Sequence, residues 1–172
     1  AGQWPRNVLS NGREIGGETL GLSGFRSIGQ LTARLAQGVG MHVVAYDAMM
    51  NGDHPAFAAS SVRAAGLDEV MTTADVISLH VPLVDATRNL FDARRIATMK
   101  KGAVLINTAR GGIVDEVALA AALRSGALGG AAVGTALDDI QAQNRAEIAM
   151  AMGRQVQAGA ATPEEVIAMT RS

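Results

Sequence analysis

The sequence predicts an α/β fold in which helices pack on both faces of a parallel sheet. Short apolar segments alternate with helical patterns from residue 19 to residue 133, and strands separated in this way form parallel βαβ units with right-handed crossovers. A length of 172 residues fits one domain, and a hydrophobic fraction of 48% is enough for a buried core. Because aromatic residues make up only 3%, aliphatic side chains and methionine must build that core.

The predicted elements follow from spacing and from residues that begin or end helices. Ile28, Leu31 and Leu35 recur at helical spacing and mark the first helix. Asp115 can cap the last helix of the alternation, and Gly126 stops it. The predicted strands cover residues 19–23, 42–46, 75–79, 103–106 and 130–133, the last of them fully buried. The predicted helices cover residues 28–38, 67–73, 92–99 and 115–124.

The alternation stops near Leu137, which divides the chain into three parts. We expect a peripheral N-terminal arm at residues 1–16 and the sheet domain at 17–137. A helical tail at 138–172 would hold two further helices with no strand between them. The second of these helices begins at a sequence typical of a capping box, with proline at the first helical position.

Composition excludes several functional classes. The formal charge is −1 and no basic block occurs, so nothing indicates nucleic-acid binding. Cysteine is absent, which excludes disulfides and thiolate metal sites, and the three histidines show no ligand spacing, so we expect no metal. No apolar run is long enough to span a bilayer and no signal-like start is present, so we expect no membrane association and a cytoplasmic location.

The most informative stretch runs from Asn107 to Glu116, between an apolar strand and an alanine-rich helix. It carries Arg110 in a glycine turn at the carboxyl end of a strand, where ligands bind in α/β sheets. A guanidinium held there offers a planar fork for a carboxylate. The alternative is a surface arginine in a turn.

A glycine turn after the first strand fits a dinucleotide site. Gly24 and Gly29 bracket a turn that opens a helix, and the amino end of a helix attracts a pyrophosphate. At the middle position, where the fingerprint has glycine, this chain has Arg26, whose side chain occupies the space through which phosphates approach. A purely structural turn is therefore an equal alternative on this motif alone.

Two further residues end predicted strands. Asp47 lies 18 residues after Gly29, where an acidic residue binds the adenosine ribose hydroxyls and disfavours a 2′-phosphate. The alternative is an ordinary aspartate at a strand end. His80 could contact a cofactor, although its chemistry alone favours a structural role, and Pro82 then forces an extended turn.

Taken together, these segments resemble the nucleotide-binding domain of the D-isomer-specific 2-hydroxyacid dehydrogenases. Order and spacing agree over about residues 15–133. The resemblance implies a Rossmann-type, doubly wound sheet, NAD as cofactor, a 2-hydroxy or 2-keto acid as substrate and a homodimer. The matching segments are residues 19–22, Gly24 with Ile28 and Gly29, 44–47, 67–70, 75–83, 87–88, 99–103, 106–116, 118–119 and 123–132.

The resemblance also implies roles for individual residues. Arg110 matches the family's catalytic arginine, which anchors the substrate carboxylate and polarises the carbonyl. The implied cofactor-binding residues are Gly24, Arg26, Ser27, Ile28 and Gly29 around the pyrophosphate, Asp47 at the ribose, His80, Val81, Pro82 and Thr87 along the cleft, and Thr108, Ala109 and Arg110 on the nicotinamide side.

Three departures from the family pattern limit what the resemblance implies. Gly134 stands where the family has an aspartate near the nicotinamide, unless a shift of four residues makes Asp138 the match. The family's glutamate and its Pro-His pair, whose histidine is the general acid/base, have no counterpart, and the substrate domain that normally precedes residue 1 is absent. We therefore expect a catalytically incomplete NAD-binding domain of a D-2-hydroxyacid dehydrogenase. The alternatives are a noncatalytic dinucleotide-binding or protein-interaction module, or a scaffold that no longer binds nucleotide because of Arg26.

Overall fold

Six parallel strands form one sheet in the order β3-β2-β1-β4-β5-β6 in the computed structural model, which describes residues 14–134. Helices connect the strands, so the predicted α/β class and its doubly wound sheet are confirmed. The strands are β1 (Thr19–Ser23), β2 (His42–Tyr46), β3 (Arg63–Ala64), β4 (Val76–Leu79), β5 (Ala103–Asn107) and β6 (Leu128–Val133). The helices are α1 (Ser27–Gly38), α2 (Pro55–Ala59), α3 (Leu67–Thr73), α4 (Ala93–Ile96) and α5 (Glu116–Ser125), with a 3₁₀ turn at Asp85–Thr87.

The structure adds two elements that the sequence patterns did not predict. Helix α2 has proline at its start and is capped by His54, whose Nδ1 accepts a hydrogen bond from the Ala56 N–H. Strand β3 pairs with β2 through Arg63 and Ala64 alone, and so short a strand has no periodicity to detect.

Helix α4 and strand β6 differ most from their predicted extents, and one prediction of burial was wrong. Helix α4 is shorter than the predicted helix over 92–99. Strand β6 begins two residues earlier than predicted, and only Leu128 and Ala131 along it are buried. The expectation of a fully buried strand fails because β6 is an edge strand, paired with β5 alone.

The apolar residues that mark α1 in the sequence do not form its buried face. Ile28, Leu31 and Leu35 are exposed to 60%, 42% and 64%, whereas the face toward the sheet consists of small residues. Small side chains let the helix backbone approach the strands closely. The buried residues of α1 are Gly29, Ala33 and Ala36.

Two hydrophobic clusters contain most of the buried apolar residues, and one of them reaches the predicted glycine turn. Phe25, within that turn, is fully buried and stacks on Phe57 of α2 with ring centroids 4.7 Å apart. Leu22 of β1 belongs to the same cluster. This stacked aromatic pair therefore anchors the glycine turn to the hydrophobic core.

Parts of the predicted organisation lie outside the described residues. Most of the arm at 1–16 and the helical tail at 138–172, with its two predicted helices, fall there. Within residues 14–134, no helix combines the length and apolar character needed to cross a membrane. The same residues contain no cluster of side chains suited to hold a metal ion.

Candidate functional site

The predicted site residues converge on the edge of the sheet at which the strands end. Strands β1 and β4 are neighbours, and the chain order reverses between them. Such a switch point opens a crevice at the carboxyl ends of parallel strands, where ligands bind. Gly24 follows β1, Asp47 follows β2, His80 follows β4, and the residues from Thr108 to Arg110 follow β5.

The two glycines that bracket the first turn are required by the protein's own packing. Gly24 has φ +98°, and a Cβ on it would lie 2.6 Å from the His80 carbonyl oxygen. A Cβ on Gly29 would lie 2.2 Å from the Gly24 carbonyl oxygen. Both distances are far below normal contact, so the turn and the start of α1 can meet only through these glycines.

Arg26, between those glycines, adopts a backbone conformation open to any residue. Its φ of −81° and ψ of −159° are extended, so an arginine at this position costs no backbone strain. Its side chain is exposed and makes no capping hydrogen bond to α1. The chain therefore keeps the two glycines that its fold needs and replaces the one that only a closely bound pyrophosphate needs. Ser27 and Ile28, the first residues of α1, are exposed beside it.

Asp47 ties the glycine turn to the end of β2. Its carboxylate is 8% exposed, and Oδ2 accepts a hydrogen bond of 2.7 Å from the Phe25 N–H. Oδ1 accepts another of 2.9 Å from the Met49 N–H. Each carboxylate oxygen has a second lone pair, so the group can still accept hydrogen bonds from a ligand's hydroxyls.

His80 follows β4 at the switch point and is only partly accessible to solvent. Its Nε2 lies 3.1 Å from the Ser78 Oγ. Burial lowers the pKa of His80 from its ordinary value of 6.5, which favours the neutral imidazole at neutral pH. The side chain is therefore suited to line a cleft without placing a charge there.

The lowered pKa of His80 predicts a loss of stability in mild acid. The unfolded chain takes up a proton near pH 6.5 while the folded chain resists it, so the free energy of unfolding falls as the pH drops below about 6.5. We expect His80→Gln to make the free energy of unfolding less dependent on pH in this range. Urea unfolding midpoints between pH 5 and pH 8 would test it. Equal slopes for both proteins would contradict the assignment, and His42→Gln, at an exposed histidine, is the control.

The segment after His80 is held by the hydroxyl of Thr87. Thr87 Oγ1 donates to the Pro82 carbonyl at 2.6 Å and accepts from the Val84 N–H at 2.9 Å. Val81 lies beside Gly24, because its Cγ1 would be 3.2 Å from a Cβ there. The structure thus gives Thr87 an internal role in shaping the turn that carries Pro82.

The loop after β5 carries Arg110, with its side chain exposed. The guanidinium Nη1 donates to the Ala109 carbonyl at 2.7 Å, and Thr108 is exposed beside it. Asn107, which ends β5, is only 1% exposed and hydrogen-bonds to this loop. Sequence reasoning included Asn107 in the informative stretch without assigning it a function, although an amide that ends an apolar strand was the available signal.

Gly134 lies beside this loop, where the family pattern has an aspartate. Its N–H donates to the Asn107 carbonyl at 2.7 Å. A Cβ on Gly134 would lie 3.1 Å from the Thr108 Cα, so a larger residue would require the backbone of the loop to move. The alternative match, Asp138, lies outside the described residues.

Comparisons with known proteins agree with this geometry. The family model described as "D-isomer specific 2-hydroxyacid dehydrogenase, NAD binding domain" matches residues 1–158. A "(S)-sulfolactate dehydrogenase" of Chromohalobacter salexigens is 53% identical over 131 residues, which cover 76% of this chain and 42% of that protein. A "Hydroxypyruvate reductase" of Thermotoga maritima is 44% identical over 119 residues, covering 69% and 37%. The chain thus spans about two fifths of the length of these relatives.

Solved structures show the same fold. An NAD-complexed D-isomer-specific 2-hydroxyacid dehydrogenase from Lactobacillus delbrueckii ssp. bulgaricus matches with a TM-score of 0.70 and 33% identity, over 86% of this chain and 47% of that one. An NAD-dependent formate dehydrogenase from Staphylococcus aureus, in complex with NAD, matches with a TM-score of 0.69 and 35% identity, over 77% and 39%.

Proposed function

The chain belongs to the D-isomer-specific 2-hydroxyacid dehydrogenase family and contains its NAD-binding domain, and we propose that it is the cofactor-binding part of an enzyme that interconverts 2-hydroxy and 2-keto acids. The observation that carries this proposal is the convergence of a glycine turn, an acidic strand end and an arginine loop on one edge of the sheet. These features are Gly24, Asp47 and Arg110.

The residues at this edge fit NAD at most points of contact. Gly24 and Gly29 let the turn pack closely on the start of α1, whose amino end can attract a pyrophosphate, and Asp47 keeps lone pairs for the adenosine ribose hydroxyls. His80 is neutral beside the crevice, and we assign Ala109, in the loop after β5, to the nicotinamide side. The exception is Arg26, an exposed side chain at the position where the fingerprint has glycine. When bound, NAD supplies the two-electron oxidant or reductant of the reaction.

Arg110 is the catalytic residue that we assign to this chain. Its planar guanidinium can bind both oxygens of a substrate carboxylate and, through the same positive charge, polarise the neighbouring carbonyl group. Arg110 makes no ion pair with any residue among 14–134, so its charge is available to a ligand. The substrate is then a 2-hydroxy or 2-keto acid.

Cofactor preference tests this function. We expect the chain to bind NAD more tightly than NADP, because the nearly buried Asp47 carboxylate would face the like charge of a 2′-phosphate. Asp47→Asn should reduce the ratio of the NADP dissociation constant to the NAD dissociation constant. Asp53→Asn, at an exposed acid in the following loop, should leave this ratio unchanged. Calorimetric titration of both cofactors measures this. Tighter binding of NADP would overturn the role of Asp47.

A second candidate function rests on Arg26. A noncatalytic module that presents a protein-binding surface, or a scaffold that no longer binds nucleotide, would tolerate a side chain where the pyrophosphate should lie. Binding of NAD in the titration above argues against the scaffold. Consumption of NADH with any 2-keto acid would argue against the noncatalytic module.

The exposed apolar stripe of α1 supports the proposal of a homodimer. Ile28, Leu31 and Leu35 continue into Val39, which is 55% exposed, so four large apolar side chains face solvent along one helix. A groove of about 460 Å³ lies beside them between α1 and the turn at 59–61. Apolar patches of this kind mark interfaces, and a two-fold axis would pair the stripe with its own copy.

Analytical ultracentrifugation would test the homodimer. We expect a dimer at micromolar concentration and a monomer for Leu31→Glu, because a charge in the centre of an apolar interface is desolvated without a partner. Val117→Glu, at an exposed apolar position on α5, is the control and should remain dimeric. A monomeric wild-type chain would contradict the proposal.

The cytoplasmic location expected from the sequence stays a prediction, which cell fractionation would test.

A further inference from the structure

A closed ring of three hydrogen bonds links Asn107, Ala109 and Arg110 at the end of β5. Asn107 Nδ2 donates to the Arg110 carbonyl at 2.8 Å, and Asn107 Oδ1 accepts from the Ala109 N–H at 3.2 Å. Arg110 Nη1 completes the ring by donating to the Ala109 carbonyl at 2.7 Å. Each of the three residues is therefore both a donor and an acceptor within the ring.

Asn107 is the fixed member of this ring. Its side chain is almost fully buried, and its backbone belongs to β5, where it pairs with Leu79 of β4 and with Val133 of β6. Its carbonyl also accepts the Gly134 N–H. Ala109 is half-buried and Arg110 exposed, so the orientation of the loop is set from the strand outward.

An asparagine amide is the side chain that meets both demands of the loop at once. Its oxygen must accept from the Ala109 N–H, and its nitrogen must donate to the carbonyl of the next residue, Arg110. An aspartate can only accept, and an aliphatic residue does neither. Removal of the amide deletes both side-chain hydrogen bonds that hold the Ala109 and Arg110 backbone, so the loop would lose its fixed conformation.

We propose that Asn107 is a positioning residue, which acts through the 108–110 backbone to place Ala109 against the cofactor and to hold the Arg110 guanidinium at the edge of the crevice. In this structure the guanidinium is held on the Ala109 carbonyl by one of its nitrogens. The other nitrogen donors stay available to a carboxylate. The proposal rests on the function assigned above, because it takes the ligand of this loop to be the nicotinamide end of NAD and a 2-keto acid.

The test uses the full 172-residue chain and two ligands, NAD and ADP-ribose, which lacks the nicotinamide. We expect Asn107→Ala to raise the dissociation constant of NAD about tenfold and that of ADP-ribose less than about twofold. Ser23→Ala is the control, since Ser23 is also a buried polar residue at a strand end of the same edge, and its Oγ has no hydrogen-bond partner among the described residues. It should change neither constant.

NMR of the ligand-free chain tests the ring of hydrogen bonds directly. Amide hydrogen exchange of Ala109 should become at least about tenfold faster in Asn107→Ala, and the Arg110 side-chain Nε should become more mobile, while the amides of β4 keep their protection. Asn107→Asp retains the acceptor and loses the donor. It should leave the Ala109 amide protected from hydrogen exchange, and it should still make the Arg110 side chain more mobile.

Each outcome decides a separate question. Equal weakening of NAD and ADP-ribose, or unchanged Ala109 exchange and Arg110 mobility in Asn107→Ala, would overturn the positioning role. If the wild-type chain binds neither ligand, the proposed function fails, whereas the NMR comparison still decides whether Asn107 holds Arg110. If Asn107→Ala does not fold, Asn107→Asp carries the test by its separate effects on Ala109 and Arg110.

Discussion

We expect Arg26→Gly to bind NAD at least about tenfold more tightly than the wild-type chain. The backbone at Arg26 is extended and unstrained, so the gain comes from the space above the start of α1 and not from relief of strain. In a fingerprint turn this position has no Cβ, which lets the pyrophosphate lie against the backbone. Stability should change little, because glycine is accepted as the residue before a helix and the arginine makes no capping bond there.

Salt dependence separates this explanation from the opposite one. A guanidinium that bound the phosphates would contribute about 1.5–3 kcal/mol per charge-assisted bond, and salt would weaken it. We judge the steric term larger, so the advantage of Arg26→Gly should be the same at low and high salt. The dissociation constants of both proteins at two salt concentrations measure this, with Arg94→Ala as the control for removal of an exposed positive charge. If the glycine variant binds more weakly and the difference shrinks with salt, Arg26 is a phosphate ligand.

The second large effect concerns two glycines of the same helix. We expect Gly29→Ala to lower the free energy of unfolding by about 3 kcal/mol, because the new methyl group would lie 2.2 Å from the Gly24 carbonyl oxygen. Backbone atoms lie on both sides of this contact, so the start of α1 must move away from the glycine turn. Such a movement also changes the conformation of the glycine turn. We therefore expect Gly29→Ala to weaken NAD binding as well as to lower stability.

Gly38→Ala is the matched control at the other end of α1. A Cβ on Gly38 has no neighbour within 4 Å, so alanine should raise stability by up to about 1 kcal/mol through its helix propensity. Urea denaturation followed by circular dichroism gives both free energies. Equal effects of the two substitutions would show that the close contact at Gly29 relaxes without cost, which contradicts the role given to that glycine.

Particular elements show how far the sequence predicted the fold. The bounds of β1 and β2 and of α3 agree with the predicted ranges, because each is a run whose residue types favour one local structure. Helix α5 begins after Asp115, whose Oδ1 accepts from the Ala118 N–H, and ends before Gly126 with φ +71°, as its capping residues predicted. Local capping chemistry needs no distant partner and is therefore visible in sequence.

The positions of the candidate site residues in the fold were predicted in part, and their roles stay predictions. The strand ends that carry Asp47, His80 and Arg110 were identified, and the structure brings them to one edge of the sheet. The ring around Asn107 was not predicted, because hydrogen bonds between side chain and backbone depend on the path of a loop. The unstrained backbone of Arg26 was not predicted either, because φ and ψ in a turn follow from how its two ends are held.

The sequence by itself determined the alternation of strands and helices, the positions of the glycine turn and the arginine loop, and the membership of a family that binds NAD. Only the tertiary structure decided which face of α1 is buried and which glycines the fold cannot replace. The reason is that periodicity records where apolar residues recur, whereas burial depends on how closely two backbones approach. At α1 that approach is so close that only Gly29, Ala33 and Ala36 fit against the sheet, which leaves the larger apolar side chains of the helix in solvent.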